Sequence, residues 1–147
     1  MSSNARIGAD FEIQLAEWLY EHGFWVHRVV PSAAGQPADL IAAYQNYHTL
    51  IDCKVVTGDR SFPFDRIEDN QQTAMRMFEE RACTQCWFAI QLIKASTIRL
   101  ISYPQIEAWI KWGKKSLTQK ELLSPSIGCT LSEWYSYVKK EASLLST

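Results

Sequence analysis

Apolar residues recur at helical spacing from the start of the chain: Phe11, Leu15, Trp18 and Leu19 share one face, and Gly23 follows where a C-terminal cap belongs. A first helix is predicted over residues 8–21. The rhythm then changes. Residues 24–30 are aromatic and β-branched and stop at Pro31, which predicts a strand, followed by a loop over 32–37. Residues 39–44 and 49–55 read as two further strands, and the four residues between them suit an antiparallel hairpin. The polar stretch 57–64 is expected to be a loop. Asp65 and Glu68 have capping-box spacing for a second helix ending near Arg81, with Ile67, Ala74, Met75, Phe78 and Ala82 as its stripe. Residues 86–92 and 97–101 make another hairpin. Ser102, Pro104 and Gln105 then open a short helix that Trp112 and Gly113 close, and Thr130 with Glu133 caps a last helix after a polar, basic segment. The succession α-β-β-β-α-β-β-α-α predicts a single α/β or α+β domain, a mixed central sheet flanked by helices.

Composition narrows this reading without changing it. The chain has 147 residues, 47% apolar and 21% charged, with six glycines and five prolines, as expected of one folded domain and not of a disordered or repetitive chain. No window approaches the roughly 18 apolar residues of a membrane helix, and residues 1–6 lack a secretion signal's apolar core, so a cytoplasmic protein without membrane association is expected. Cys53, Cys83, Cys86 and Cys129 are too few and too unevenly placed for a disulfide framework, so reduced thiols are expected. The net charge of −1 conceals a polarity: residues 1–80 carry −6 and residues 81–147 carry +5. A basic half can attract phosphate while an acidic half holds a metal, although solvated faces produce the same asymmetry.

The hairpin carries charge where apolar residues belong. Folded so that Tyr44 faces Thr49, it sets Asp39 opposite Lys54 and Asp52 opposite Ile41. One face then holds Asp39, Ile41, Ala43, Leu50, Asp52 and Lys54, and the other Leu40, Ala42, Tyr44, Ile51, Cys53 and Val55. Both faces are largely apolar, as in strands covered on two sides, so three ionisable groups gather near the core. Left unpaired, each would cost several kcal/mol. Helix spacing adds two more inward groups. Glu12 lies about 60° from the centre of the first helix's apolar stripe, and Gln71 falls within the stripe of the second.

Carboxylates diagonal across a strand pair stand roughly 7 Å apart at their Cβ atoms, within joint reach of one hard divalent cation such as Mg²⁺ or Mn²⁺. Lys54 projects from the same face, where it can orient or help deprotonate a water that the metal also activates, and phosphodiester hydrolysis needs these parts. The alternative is a buried salt bridge between Lys54 and either aspartate. The five inward polar groups together favour the site.

Glu12 on the first helix, then Pro37-Ala38-Asp39, then Asp52-Cys53-Lys54, then Gln71 on the next helix resemble the PD-(D/E)XK nuclease superfamily, and within it the Holliday-junction resolvases. The segment from Gly8 to Glu12 is similar to the start of the archaeal enzymes, and Phe62-Pro-Phe-Asp-Arg-Ile67 with Asn70-Gln71 to the bacterial RecU type. The similarity spans roughly residues 7–110. It implies a restriction-endonuclease-like fold with that core, a C-terminal helical extension over 111–147, and a homodimer that nicks four-way DNA junctions symmetrically with Mg²⁺ or Mn²⁺. Glu12, Asp39 and Asp52 would hold metal, Lys54 would position the water and Gln71 would support the site. Two departures stand out: Ala38 separates the proline from the aspartate, and aspartate instead of glutamate occupies position 52. A restriction- or repair-type nuclease acting on duplex or flapped DNA fits the same residues. A DNA-binding protein that does not cut is disfavoured, because a relic of the fold has no reason to keep these charges near its core.

Cys83 and Cys86 have zinc-ligand spacing, but no second Cys/His pair with ligand spacing exists, and two ordinary thiols in a helix-to-strand turn are expected. Cys53 is expected to be a packed thiol facing away from the acids. Trp109, Lys111, Trp112, Lys114, Lys115 and Lys120 interleave, and Trp134, Tyr135 and Tyr137 follow; the aromatics are assigned to the core. Lys114 and Lys115 are expected phosphate contacts, as are Arg6, Arg28, Arg60 and Arg66 near the acidic site.

Overall fold

Strands that are apolar on both faces need cover on both, and the helices of this chain supply it. A computed structural model describes residues 3–146; Met1 and Ser2, which belong to the opening segment read above, lie outside the described residues, as does Thr147. In chain order the elements are α1 (Ser3–Glu21), β1 (Trp25–Arg28), β2 (Leu40–Tyr44), β3 (Tyr47–Val56), β4 (Phe62–Pro63), a 3-10 turn (Phe64–Arg66) and α2 (Asp69–Ala82). Then come β5 (Trp87–Leu92), β6 (Thr97–Ser102), α3 (Tyr103–Lys111), β7 (Ser116–Leu117), α4 (Gln119–Leu122), β8 (Cys129–Thr130) and α5 (Leu131–Leu145). Six strands form one sheet in the order β1-β2-β3-β5-β6-β8. Only β3 and β5 run parallel, joined by a crossover through α2; the other pairs are antiparallel, so the sheet is mixed. β4 and β7 make a separate two-stranded ribbon.

The pleat sorts side chains into two cores. Phe11, Leu15 and Leu19 of α1 and Trp134, Val138 and Ala142 of α5 close over Leu40, Ala42, Ile51 and Ala89. On the opposite face Met75 of α2 and Ile106 of α3 cover Leu50, Phe88 and Ile90. This is the expected single α/β domain. Among the described residues no helix is long and apolar enough to cross a membrane.

One expectation about the hairpin is corrected. The turn is two residues long, not four: Tyr44 pairs with Tyr47, and Gln45 adopts φ 52. The sequence lacks the Asn-Gly pair that announces such turns, so β3 was expected to start later. Tyr47 is drawn in because it is buried and its hydroxyl takes a hydrogen bond from Trp87 Nε1 at 2.9 Å. The pairing therefore slides by two residues, so Asp39 does not face Lys54, nor Asp52 Ile41; Ile41 pairs with Leu50. An even slide leaves every side chain on its expected face. The second correction is the start of α2. Asp65 lies in the 3-10 turn, and Glu68 is the cap, its backbone N–H donating to Gln71 Oε1 at 3.2 Å.

The basic segment after α3 is held by a buried cation. Arg99 of β6 donates from Nε to Leu122 O at 2.7 Å, and from Nη2 to Ser124 O at 3.1 Å and Gly128 O at 2.9 Å. Gly128 lies so close to the sheet that a Cβ would sit 3.0 Å from Leu100 O. The carbonyls of a loop folded against β6 are thus satisfied by one side chain. Replacing Arg99 with methionine strands these carbonyls and is expected to lower the unfolding free energy by about 3 kcal/mol, measured by urea denaturation.

Candidate active site

The polar centre forms where the β2–β3 ladder ends. The pairing closes at Leu40 and Ile51, and Asp39 is the residue before it and Asp52 the residue after. Past that point the Cys53 N–H has no strand partner on this side, and Asp39 Oδ2 accepts from it at 2.7 Å. Gln36 Nε2 donates to the other oxygen at 3.1 Å. Asp39 is thereby fixed at the mouth of the loop that precedes β2. That loop is pinned in turn: Asn70 Nδ2 donates to Gln36 O, and Gly35, at φ 84, lets Asn70 approach where a Cβ would stand 2.5 Å from Nδ2.

Asp52 lies deeper, with no solvent-exposed side-chain surface. Its Oδ1 accepts from Gln71 Nε2 at 2.8 Å, so the residue that caps α2 also holds the acid. Lys54 Nζ stands 2.9 Å from Oδ2, but the approach is not aligned as a hydrogen bond, and that buried oxygen has none. Burial first and the Asp39 charge second push the Asp52 carboxyl up to about 7, against the pull of Lys54. Glu12 reaches the cluster from α1. Burial, and then contact with Asp39, raise it to about 7, while Arg28, 3.3 Å away, lowers it.

Three carboxyls and a lysine thus meet at one end of β3, as expected from the strand faces and the helix wheel, with Gln71 buried beside them. Among the described residues no three His, Cys, Asp or Glu side chains are already disposed around a single point as metal ligands. The donor set is nevertheless all oxygen, and one buried oxygen lacks a hydrogen bond, which is the chemistry a hard divalent cation takes. Gln36 was missed in the sequence. Its only signal was its place one residue before Pro37.

The candidate DNA contacts are more dispersed. Arg60 and Arg66 line a cavity of about 330 Å³ with Asn4, Gly8, Cys53 and Thr57, between the start of α1 and the end of β3. Arg66 donates to Val55 O at 2.9 Å and lies over the Phe62 ring. Arg28 is paired with Glu12 and Lys114 with Glu121 Oε2 at 2.7 Å, whereas Arg6 and Lys115 are exposed. Cys83 is exposed at the end of α2 and Cys86 is buried; all four cysteines are free. Cys53 packs on the α1 side, where burial raises its thiol pKa. Trp109 stacks on Phe64 and Trp134 is fully buried, as core residues are expected to be. Trp112 is not core: it is 89% exposed.

A family model described as archaeal Holliday junction resolvase (hjc) matches residues 3–115. No curated protein matches. Among solved structures, Hjc of Archaeoglobus fulgidus, a Holliday junction resolvase from an archaeal hyperthermophile, aligns with a TM-score of 0.66 at 18% identity, over 87% of this chain and 99% of that one. D212, a nuclease from a fusselovirus, aligns at a TM-score of 0.48 and 10% identity, over 91% of this chain and 88% of that one.

The raised carboxyls make stability depend on pH. Near neutrality the native state keeps protons that the unfolded chain has released, so the contribution of Asp52 and Glu12 is complete below about pH 4 and lost as pH rises to about 7. In chelating buffer the unfolding free energy is expected to fall across that window, and Asp52→Asn to flatten the fall, in urea titrations at stepped pH.

Proposed function

The chain belongs to the archaeal Holliday junction resolvase family and is a junction-resolving nuclease, and on that premise we propose that Glu12, Asp39 and Asp52 hold the divalent cation, Mg²⁺ or Mn²⁺, with which it cuts DNA. The observation that carries this reading is the buried Asp52 carboxylate, with Asp39 beside it and one oxygen free of hydrogen bonds. When bound, such a cation polarises the scissile phosphodiester and acidifies a water. The chain's own residues do the rest. Lys54, two residues along the same strand face, orients the attacking water and offsets the charge that builds on the phosphate. Gln71 fixes the rotamer of Asp52 through Oδ1. Arg28 balances Glu12, and its exposed guanidinium would meet a neighbouring phosphate.

DNA approaches along the cavity between α1 and β3, where Arg60 and Arg66 meet the backbone, with Arg6 on one side and Lys114 and Lys115 on the other. Because the described residues of one chain hold one such cluster and a junction is resolved by two symmetric cuts, two copies act together as a homodimer.

The test uses a labelled four-way junction and a linear duplex of matched sequence. With Mg²⁺ or Mn²⁺, paired nicks are expected across the junction and not in the duplex, with none in EDTA. Asp52→Asn and Lys54→Met are expected to slow cutting about a hundredfold or more while junction binding is kept, and Gln71→Ala about tenfold. Tight binding without cutting under either cation overturns the catalytic assignment, and equal cutting of both DNAs overturns the junction preference.

A further inference from the structure

Six tryptophans occur in this chain, and five have an aromatic or imidazole ring against them: Trp18 lies on His22, Trp25 beside His27, Trp87 against Trp134, and Trp109 on Phe64. Trp112 is the exception. It is 89% exposed and, among the described residues, has no ring or cation partner. Indole is the largest side chain available, and leaving it in water gives up the burial that a tryptophan ordinarily provides.

Its position is defined by the packing of α3 on α2. Arg76 Nε pairs with Glu107 at 2.9 Å, and Gln72, four residues before Arg76, lines one furrow of about 630 Å³ with Ile110, three residues after Glu107. The helices therefore run antiparallel, and the last turn of α3 lies beside the first turn of α2, where Gln71 grips Asp52. Trp112 closes α3 at this end. Gly113, at φ 87, then turns the chain so that Lys115 O accepts the Phe64 N–H at 2.9 Å. This fastens the loop to the segment whose Arg66 holds Val55, the residue after Lys54. Lys111 and Lys115 flank Trp112 along the chain, both exposed and, among the described residues, in no salt bridge, although Lys111 is near enough to Glu107 to help lower its carboxyl.

An exposed flat ring between two exposed cations, on the helix end that lies beside the start of α2, complements one kind of surface: a nucleobase face framed by phosphates. Continuous duplex hides such faces inside its stack, whereas the open centre of a branched DNA exposes the terminal base pair of each arm. We propose that Trp112 stacks on a base exposed at the branch point, with Lys111 and Lys115 on the flanking phosphates, and so makes the protein prefer branched over linear DNA. The inference rests on the junction-resolving reading and names the residue that carries its selectivity. A side chain that inserts beside a base step in this way also opens the step it abuts.

The test is fluorescence anisotropy in EDTA on a four-way junction and a linear duplex of matched sequence, with 2-aminopurine placed next to the branch point in a parallel set of junctions. For Trp112→Ala, junction affinity is expected to fall about tenfold while duplex affinity stays within about twofold. Trp112→Phe is expected to recover part of the loss, and the 2-aminopurine quenching seen with the unchanged protein to disappear in Trp112→Ala. Because the ring is 89% exposed, the melting temperature is expected to be unchanged. Undiminished junction preference in Trp112→Ala, or an equal loss on both DNAs, overturns the proposal. So does conversion of a dimer to a monomer by Trp112→Ala in sedimentation, which would assign the indole to a second copy of the chain. Failure of the underlying reading is distinguishable, since the unchanged protein would then itself show no junction preference.

Discussion

A carboxylate with no exposed surface, set in the third strand of a six-stranded sheet, constrains the rest of this molecule. Burying Asp52 as an ion is costly, and the chain meets that cost from three directions at once: Lys54 along the strand, Gln71 from the helix above, and a raised proton affinity that lets the group stay neutral when nothing else balances it. Each of these then fixes something else. Gln71 can reach Asp52 only if α2 begins near Asp69, and the same side chain closes the cap of that helix. The loop before β2 is tied to the next residue, Asn70, and delivers Gln36 to Asp39.

The two faces of the sheet divide the labour. On the α1 and α5 side the aromatic rings of Phe24, Trp134 and Trp87 pack against one another, and the buried hydroxyls of Tyr47 and Thr49 are tied up in hydrogen bonds there, with Glu12 near that side. On the α2 and α3 side the apolar core runs up to the polar cluster and stops. Residues 116–146, past the segment matched by the family, belong to both: α5 seals the first face, while α4 and the loop before β8 are gathered on Arg99 at the far edge. The candidate site is thus supported on well-packed strands and reached from one end of the sheet.

Most of this was legible in the sequence because it depends on period. Helix spacing turned Glu12 and Gln71 inward, and strand alternation placed Asp39, Asp52 and Lys54 together, without knowledge of what covered them. What was not legible depends on single local events. The tight turn after Tyr44 rests on a left-handed Gln45, which no residue pattern announces. The strands β4, β7 and β8 have two residues each, too few to show a period. The acceptors of Arg99 lie 23 to 29 residues away along the chain. Trp112 reads in sequence like Trp109, three residues earlier; only the fold separates the ring that packs from the one that does not.

The two-residue slide of the hairpin has a consequence for how the chain finds its native pairing. A pairing two residues out of register would bury the same apolar set, so greasy contacts alone discriminate poorly between the two. What separates the two is polar: the Asp39 carboxylate capping the Cys53 N–H, and the Tyr47 hydroxyl meeting Trp87. An acid assigned to the chemistry therefore also proofreads the assembly of the strands that carry it, so that a molecule with a misaligned hairpin is one without a site.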